Sequence, residues 1–434
     1  MARKLAGARR GCRDSGRIEY VQPRAFDRNQ VTARRRVIVV GLGAIGSAAA
    51  FHLARRGARV IGMEAFGPAH DRGSSHGESR IIRQAYYEGT GYVPLVLRAY
   101  QLWRELESLT KERLLETTAA VMIGAPDGEV VVGSLRSAQQ WGIPHRLLTA
   151  SEVVREFPAL HPGPAQVGLV ELEAGVLAPE SSVLAHLRLA ADLGAELHFG
   201  EKVLGWEASG SGVVVRSVGR RYRADRLVLA AGAWSDQLLQ LPNLKLQVER
   251  QVMVWFAPHE IGPFTPPRGP VYLFEAAEGG LFYGVPTRDG RTAKAARHYG
   301  GEITTADRVR REVTEGDIQA VRDGLRETVP LLAQARLARS ATCLYTNSLD
   351  KHFVVGVHPN FPGVSIAAGF SGHGFKFAPV LGEALADLAQ NGSTVHPIGD
   401  FDPARFEDHH RGGKGISGSG GTPTPKVAIT SPIT

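Results

Sequence analysis

The stretch R-V-I-V-V-G-L-G-A-I-G, residues 36–46, joins a short apolar run rich in β-branched residues to three glycines, Gly41, Gly43 and Gly46. The run, from Val37, has the pattern of a buried parallel strand. Residues 44–56 then have helical character and stop near Gly57, a natural helix end. A-R-V-I-G-M-E follows as a second strand, which makes a βαβ start. The first glycine permits a tight turn, the second lets a pyrophosphate approach the backbone, and the third lets helix and strand pack closely. A pyrophosphate can then sit on the helix N-terminus, where free N–H groups and the helix dipole favour anions. Glu64 closes the second strand about 20 residues on, where a carboxylate can accept hydrogen bonds from ribose hydroxyls. This is a dinucleotide site, and the motif alone leaves FAD and NAD open.

Outward from that unit the pattern changes. A Gly-, Ser- and His-rich loop covers residues 73–77, and residues 92–106 read as an amphipathic helix. Short strand-like runs at 119–123, 167–170, 252–256, 271–274 and 281–285 predict a largely antiparallel sheet. Residues 181–193 read as a helix, and 196–200, 212–217 and 225–230 as strands. The last enters A-A-G-A-W-S, and its small residues Ala231 and Gly232 can pass close to a cofactor, which favours FAD. The expected fold is α/β. A Rossmann-type FAD-binding domain (37–115, 178–245 and 339–400) interleaves with a substrate domain (116–177 and 246–338) built on a mostly antiparallel sheet with helices.

The chain of 434 residues suits two domains or interleaved halves. No window approaches the roughly 18–20 consecutive apolar residues of a membrane helix, and no signal-peptide core is expected. Cys12 and Cys343 are the two cysteines, which fits a reducing, cytoplasmic compartment. The net charge of +8 invites a nucleic-acid reading, but residues 1–36 hold eleven basic side chains against three acids and carry the whole excess. That leader is expected to be solvated and disordered, with a targeting presequence or a downstream start as alternatives. No nucleic acid, membrane or metal is expected. From residue 411 the Gly/Ser/Pro-rich tail has a composition that cannot bury a core.

Farther along, G-S-S-H-G-E-S-R-I-I-R-Q-A-Y (Gly73 to Tyr86) and Y-V-P-L-V-L-R resemble the monomeric sarcosine oxidase and N-methyltryptophan oxidase family of D-amino-acid-oxidase-like flavoproteins. The likeness continues in F-Y-G-V-P, C-L-Y-T, D-K-H-F and A-G-F-S-G-H-G-F-K-F, and covers roughly residues 37–400 in order. It implies that Cys343 binds FAD covalently, through a thioether to the 8α carbon of the flavin. By residue type alone Cys343 would be a small buried hydrophobe. It further implies that Arg83 and Lys376 anchor an amino-acid carboxylate, Arg as a bidentate fork and Lys as a point charge. Without the resemblance, Arg83 in a helical R-I-I-R reads as a surface salt-bridge residue.

Other positions follow in the same way. Arg80 and His76 match residues near the flavin. Tyr345, two residues beyond Cys343, would share its strand face and line the pocket, as would Tyr283. Lys294 matches a lysine that promotes oxygen activation, although Arg291 and Arg297 nearby leave room for a surface lysine. His298 resembles a histidine beside the substrate amine. Gly372 and Gly374 let the backbone approach a planar ring, and a helix beginning after them would stabilise negative charge on it. The implied activity is oxidation of a secondary amino acid, with O2 reduced to hydrogen peroxide, by a protein that could be monomeric. A bulkier or cyclic amino acid (N-methyltryptophan, pipecolate, a fructosyl amino acid) is the alternative substrate, and an FAD dehydrogenase with another acceptor is the alternative chemistry.

Overall fold

The computed structural model describes residues 35–276 and 279–407. Cys12, the basic leader through residue 34 and the tail from 411 lie outside the described residues. The opening unit is a strand β1 (Arg36–Val40), a helix α1 (Ala44–Arg55) and a strand β2 (Arg59–Glu64), with β1 and β2 parallel. Alternate side chains of a strand point to opposite faces. Val37 and Val39 join one core and Ile38 and Val40 another, so β1 is covered on both sides.

Six strands make this sheet, in the order Val354–His358, Phe361–Ala368, Arg226–Leu229, β1, β2, Glu196–Phe199. All its pairings are parallel except that of the first two strands. On one face lie α1 and the helix Ala378–Asn391. Their approach is close: a Cβ on Gly382 would stand 2.6 Å from the Cβ of Ala48. On the other face, Trp206, Val213 and Val215 from a three-stranded antiparallel sheet share the core of Ile38 and Val40.

A second sheet of nine strands gathers residues from 120 to 171 and from 247 to 347. It is antiparallel except where Val271–Glu275 runs parallel to Ala120–Gly124. The strand Arg336–Asn347, which carries Cys343 and Tyr345, pairs along its length with Gln247–Ala257 in this second sheet. No helix among the described residues is long and apolar enough to cross a membrane.

The R-I-I-R segment corrects its sequence reading. Arg80–Ile82 is a short strand, β3, paired antiparallel with Gly175–Leu177. Two adjacent β-branched side chains favour the pleat, and Ile82 is fully buried there. Arg83, just beyond, is 2% exposed and lies away from the surface.

One ion cluster ties the helical layer together. Glu383, on Ala378–Asn391, accepts from Arg98 Nε at 3.0 Å and Nη2 at 2.9 Å, and His396 Nε2 lies 3.0 Å away. Burial pushes its carboxyl pKa up, but the hydrogen bonds from His396 and Arg98 outweigh it and hold the pKa well below the carboxylate range. A depressed carboxylate contributes stability above its unfolded pKa, about 4.3, that is lost as pH falls toward the folded value. The Glu383→Gln variant is expected to be less stable by roughly 1–3 kcal/mol at neutral pH. In urea denaturation the gap to the unaltered protein should narrow below about pH 5. A gap independent of pH would show that the charge is not its source.

Candidate active site

The glycine turn has no room for side chains. Gly41 has φ +86°, and an added Cβ would meet the Ala230 carbonyl oxygen at 2.4 Å. A Cβ on Gly46 would lie 1.7 Å from the Gly41 oxygen, and one on Gly43 would lie 3.2 Å from Ser75 Oγ. The Ala44 N–H at the start of α1 donates to Ser75 Oγ at 3.0 Å. Glu64 is buried, and its carboxylate accepts from the N–H groups of Leu42 at 2.9 Å and Phe66 at 3.1 Å, with His70 Nε2 at 3.3 Å. Burial opposes its charge, but His70 and the backbone donors prevail and lower its pKa. Glu64 is therefore an anion at the end of β2.

These residues line one end of a cavity of about 420 Å³, together with Phe66, Ala231, Gly232 and Trp234. The cavity continues between the two sheets to a second end lined by Arg80, Arg83, Glu88, Tyr283, His298, Cys343, Tyr345, Gly372, Gly374 and Lys376. Its elongated lining, the glycine turn and the anion at β2 fit an extended dinucleotide. Thr346 Oγ1, buried in the cavity lining, has no partner among the described residues, which leaves hydrogen-bonding capacity for such a group.

Cys343 is 4% exposed and its Sγ lies 3.5 Å from Arg80 Nη2. Burial raises the thiol pKa, but the Arg80 charge and the neighbouring His76 pull it down to about 7. A buried cysteine with that pKa is half ionised at neutral pH and nucleophilic. Arg80 is held by the carbonyls of Ser74 at 2.7 Å and Ser79 at 2.8 Å.

At the far end, Arg83 Nη2 lies 2.5 Å from Glu88 Oε2, and its Nη1 donates to the Ala85 carbonyl at 2.9 Å. Burial opposes both charges. Arg83 nevertheless holds the Glu88 carboxyl down at about 2. Lys376 Nζ donates to the His373 carbonyl at 2.9 Å, and its pKa falls to about 7 through burial and Arg83. Tyr345 Oη is 3.0 Å from His298 Nδ1, and burial pulls His298 to about 3, so its imidazole is neutral. Burial likewise pushes Tyr283 up to about 12. Gly372, at φ +79°, has Tyr345 where its Cβ would stand, 2.4 Å from a ring carbon. A Cβ on Gly374 would stand 2.6 Å from Phe370 Cβ.

The geometry thus brings together all the residues expected around the substrate except Lys294. Its side chain is 2% exposed, which removes the surface alternative, but it does not line the cavity. Its Nζ donates to the carbonyls of Gly77 at 3.1 Å and Ser79 at 2.7 Å, and burial pulls its pKa well down. His76 is likewise buried beside Cys343 but off the cavity lining.

Sequence reasoning missed Glu88, Tyr86, His373 and Glu171. His373 lies inside the G-H-G-F-K signature, and Glu88 is a lone acid after two tyrosines, but neither pattern reveals a partner. Glu171 is fully buried and accepts from the N–H groups of Gln84 and Ala85, each at 2.8 Å. It clamps the backbone behind Arg83, and burial raises its pKa to about 7.

Comparison with known proteins gives a consistent result. The model of the family described as FAD dependent oxidoreductase matches residues 36–388. The chain is 50% identical over 374 residues to the monomeric sarcosine oxidase of Streptomyces avermitilis, covering 85% of this chain and 97% of that one. It is 33% identical to the N-methyl-L-tryptophan oxidase of Salmonella dublin, over 85% of this chain and 98% of the other. Among solved structures, NikD, an unusual amino acid oxidase essential for nikkomycin biosynthesis, matches with TM-score 0.75. That match is 24% identical over 85% of this chain and 98% of the other, and is evidence of fold alone.

Proposed function

As the chain belongs to the monomeric sarcosine oxidase and N-methyltryptophan oxidase family of FAD-dependent oxidoreductases, we propose that it oxidises secondary N-methyl amino acids such as sarcosine. FAD, which the Gly41–Gly46 turn, Glu64 and Cys343 would hold, would supply the redox chemistry, taking a hydride equivalent from the carbon beside the amine and returning the electrons to O2 as hydrogen peroxide, with the imine product hydrolysed by water. The protein supplies position and charge.

The observation that carries this reading is the pair Arg83 and Lys376, both buried, at the end of the cavity beyond Cys343. An amino-acid carboxylate leaving water needs charged donors, and these two converge on one wall. Glu88 keeps Arg83 charged and oriented while the site is empty of substrate. His298, neutral because it is buried, can face the substrate amine without repelling a cation. Tyr283 and Tyr345 form the apolar flanks that fix the N-methyl end. Cys343 would hold the flavin through a thioether at its 8α carbon. Lys294 would influence oxygen through the Gly77–Ser79 backbone and the field of its amine rather than by contact. A cytoplasmic location belongs to the same reading, supported by a composition of two cysteines, and a monomeric state is proposed with it.

The test is a peroxide assay of the purified holoenzyme with sarcosine, N-methyl-L-tryptophan and pipecolate. Sarcosine is expected to yield one peroxide and one formaldehyde per turnover. Dye reduction without peroxide would instead mark a dehydrogenase, and silence with every secondary amino acid would end the oxidase reading.

A further inference from the structure

Lys376 is buried, yet among the described residues no carboxylate pairs with it. Glu88, the nearby acid, is committed to Arg83. The Lys376 amine meets two uncharged acceptors, the His373 carbonyl at 2.9 Å and Tyr86 Oη at 3.4 Å. An ammonium placed there has lost its water and gained no counter-charge. Arg83 and Glu88 already cancel each other, so a neutral amine keeps this end of the cavity electrically balanced. A bound carboxylate adds one negative charge and reverses that preference.

We propose that Lys376 rests as a neutral amine and takes up one proton from solvent when a carboxylate binds. This rests on the reading of Arg83 and Lys376 as carboxylate anchors. The Lys351 carbonyl, 3.2 Å from His373 Nε2, accepts from that nitrogen, so His373 Nδ1 accepts from the Tyr86 hydroxyl at 2.6 Å and neither group brings a charge to the amine. One proton is consumed, forming the third N–H bond of Nζ, and no other bond changes.

The surroundings suit this role. Burial keeps the Tyr86 pKa well above its ordinary value and brings His373 down to about 4, so both are neutral beside the amine. Burial and then Arg83 bring Lys376 to about 7, close to the pH at which it must switch. The segment after β3 faces Lys376 with Arg83, Tyr86 and Glu88, and the strand Ala293–His298 contributes His298. Helix α2 (Val93–Thr110) contributes Trp103, whose indole N–H donates to the Lys376 carbonyl at 2.9 Å. Glu88 is the one carboxylate in this set.

Methoxyacetate tests the idea. It has the shape of sarcosine with an ether oxygen in place of the amine, so it neither offers a C–N bond nor carries a proton of its own. Flavin absorbance of the holoenzyme reports its binding, and a pH indicator in weak buffer reports protons. At about pH 8.5 nearly one proton should be taken up per ligand bound, and at about pH 5.5 almost none. Kd should rise about tenfold per pH unit above the Lys376 pKa. The K376M variant should bind more weakly and without uptake. Binding without uptake in the unaltered enzyme, or uptake retained in K376M, would overturn the proposal. Methoxyacetate that fails to bind at any pH would overturn the carboxylate-anchor reading itself. The measurement on the unaltered enzyme stands even if K376M does not fold.

Discussion

The Cys343→Ala variant is expected to release all its flavin on acid denaturation, whereas the unaltered protein should keep yellow colour in the precipitate. Cys343 stands in the cavity wall with its sulfur 3.5 Å from the Arg80 guanidinium, and its pKa is drawn down to about 7 against the effect of burial. Attachment through sulfur needs a thiolate, and burial without Arg80 would leave a thiol. The effect of removing the sulfur is therefore all or none, while folding should survive, since alanine fits where a small apolar side chain packs with Met253 and Trp255. Arg80→Gln supplies the graded counterpart. Its thiol pKa should return toward and above the ordinary value of about 8.5, and attachment at neutral pH should slow on the order of tenfold. Flavin that stays with denatured Cys343→Ala would place the linkage elsewhere.

For Arg83→Met, kcat/KM for sarcosine should fall roughly 100- to 1000-fold, the equivalent of about 3–4 kcal/mol from breaking a buried pair. Two losses combine. The carboxylate loses its fork, and Glu88 is left buried without the guanidinium that holds it at about 2. Burial would then drive Glu88 upward, and while it remains charged it repels the substrate carboxylate. The double variant Arg83→Met/Glu88→Gln should recover part of the activity, because the unpaired anion has gone. A double variant no better than Arg83→Met would show that Glu88 does not act through charge. Steady-state kinetics at neutral pH, with flavin content verified, decides between them.

How far these sites could be read along the chain depended on how local their cause was. The turn at Gly41, Gly43 and Gly46 is a matter of adjacent backbone and sterics, and Gly41 and Gly46 do meet neighbouring backbone oxygens. Strands such as Leu281–Val285 and Gly212–Ser217 also follow from short runs of aromatic or β-branched residues. The R-I-I-R segment shows the opposite case. Its spacing suits a helix, but pairing with Gly175–Leu177, more than ninety residues away, makes it a strand and buries the arginine that follows. Lys294 could be singled out in the sequence, but not its orientation, because two carbonyls from residues 77 and 79 hold its amine away from the cavity lining.

The sequence by itself determined the dinucleotide turn, the FAD-binding class, the interleaving of two sheets and the positions of Cys343, Arg83 and Lys376. The turn and the three side chains each sit in a contiguous run of residues, and the interleaving follows from the order of such runs along the chain. Only the tertiary structure decided what charge those side chains carry. Arg83 is matched by Glu88, Lys376 has no acid paired with it among the described residues, and the Cys343 thiol is drawn down by Arg80. Charge in a buried site is set by desolvation and by groups within a few ångströms, and folding brings most of these together, from β3 and the segment after it, the strand Arg336–Asn347 and the residues before the helix Ala378–Asn391.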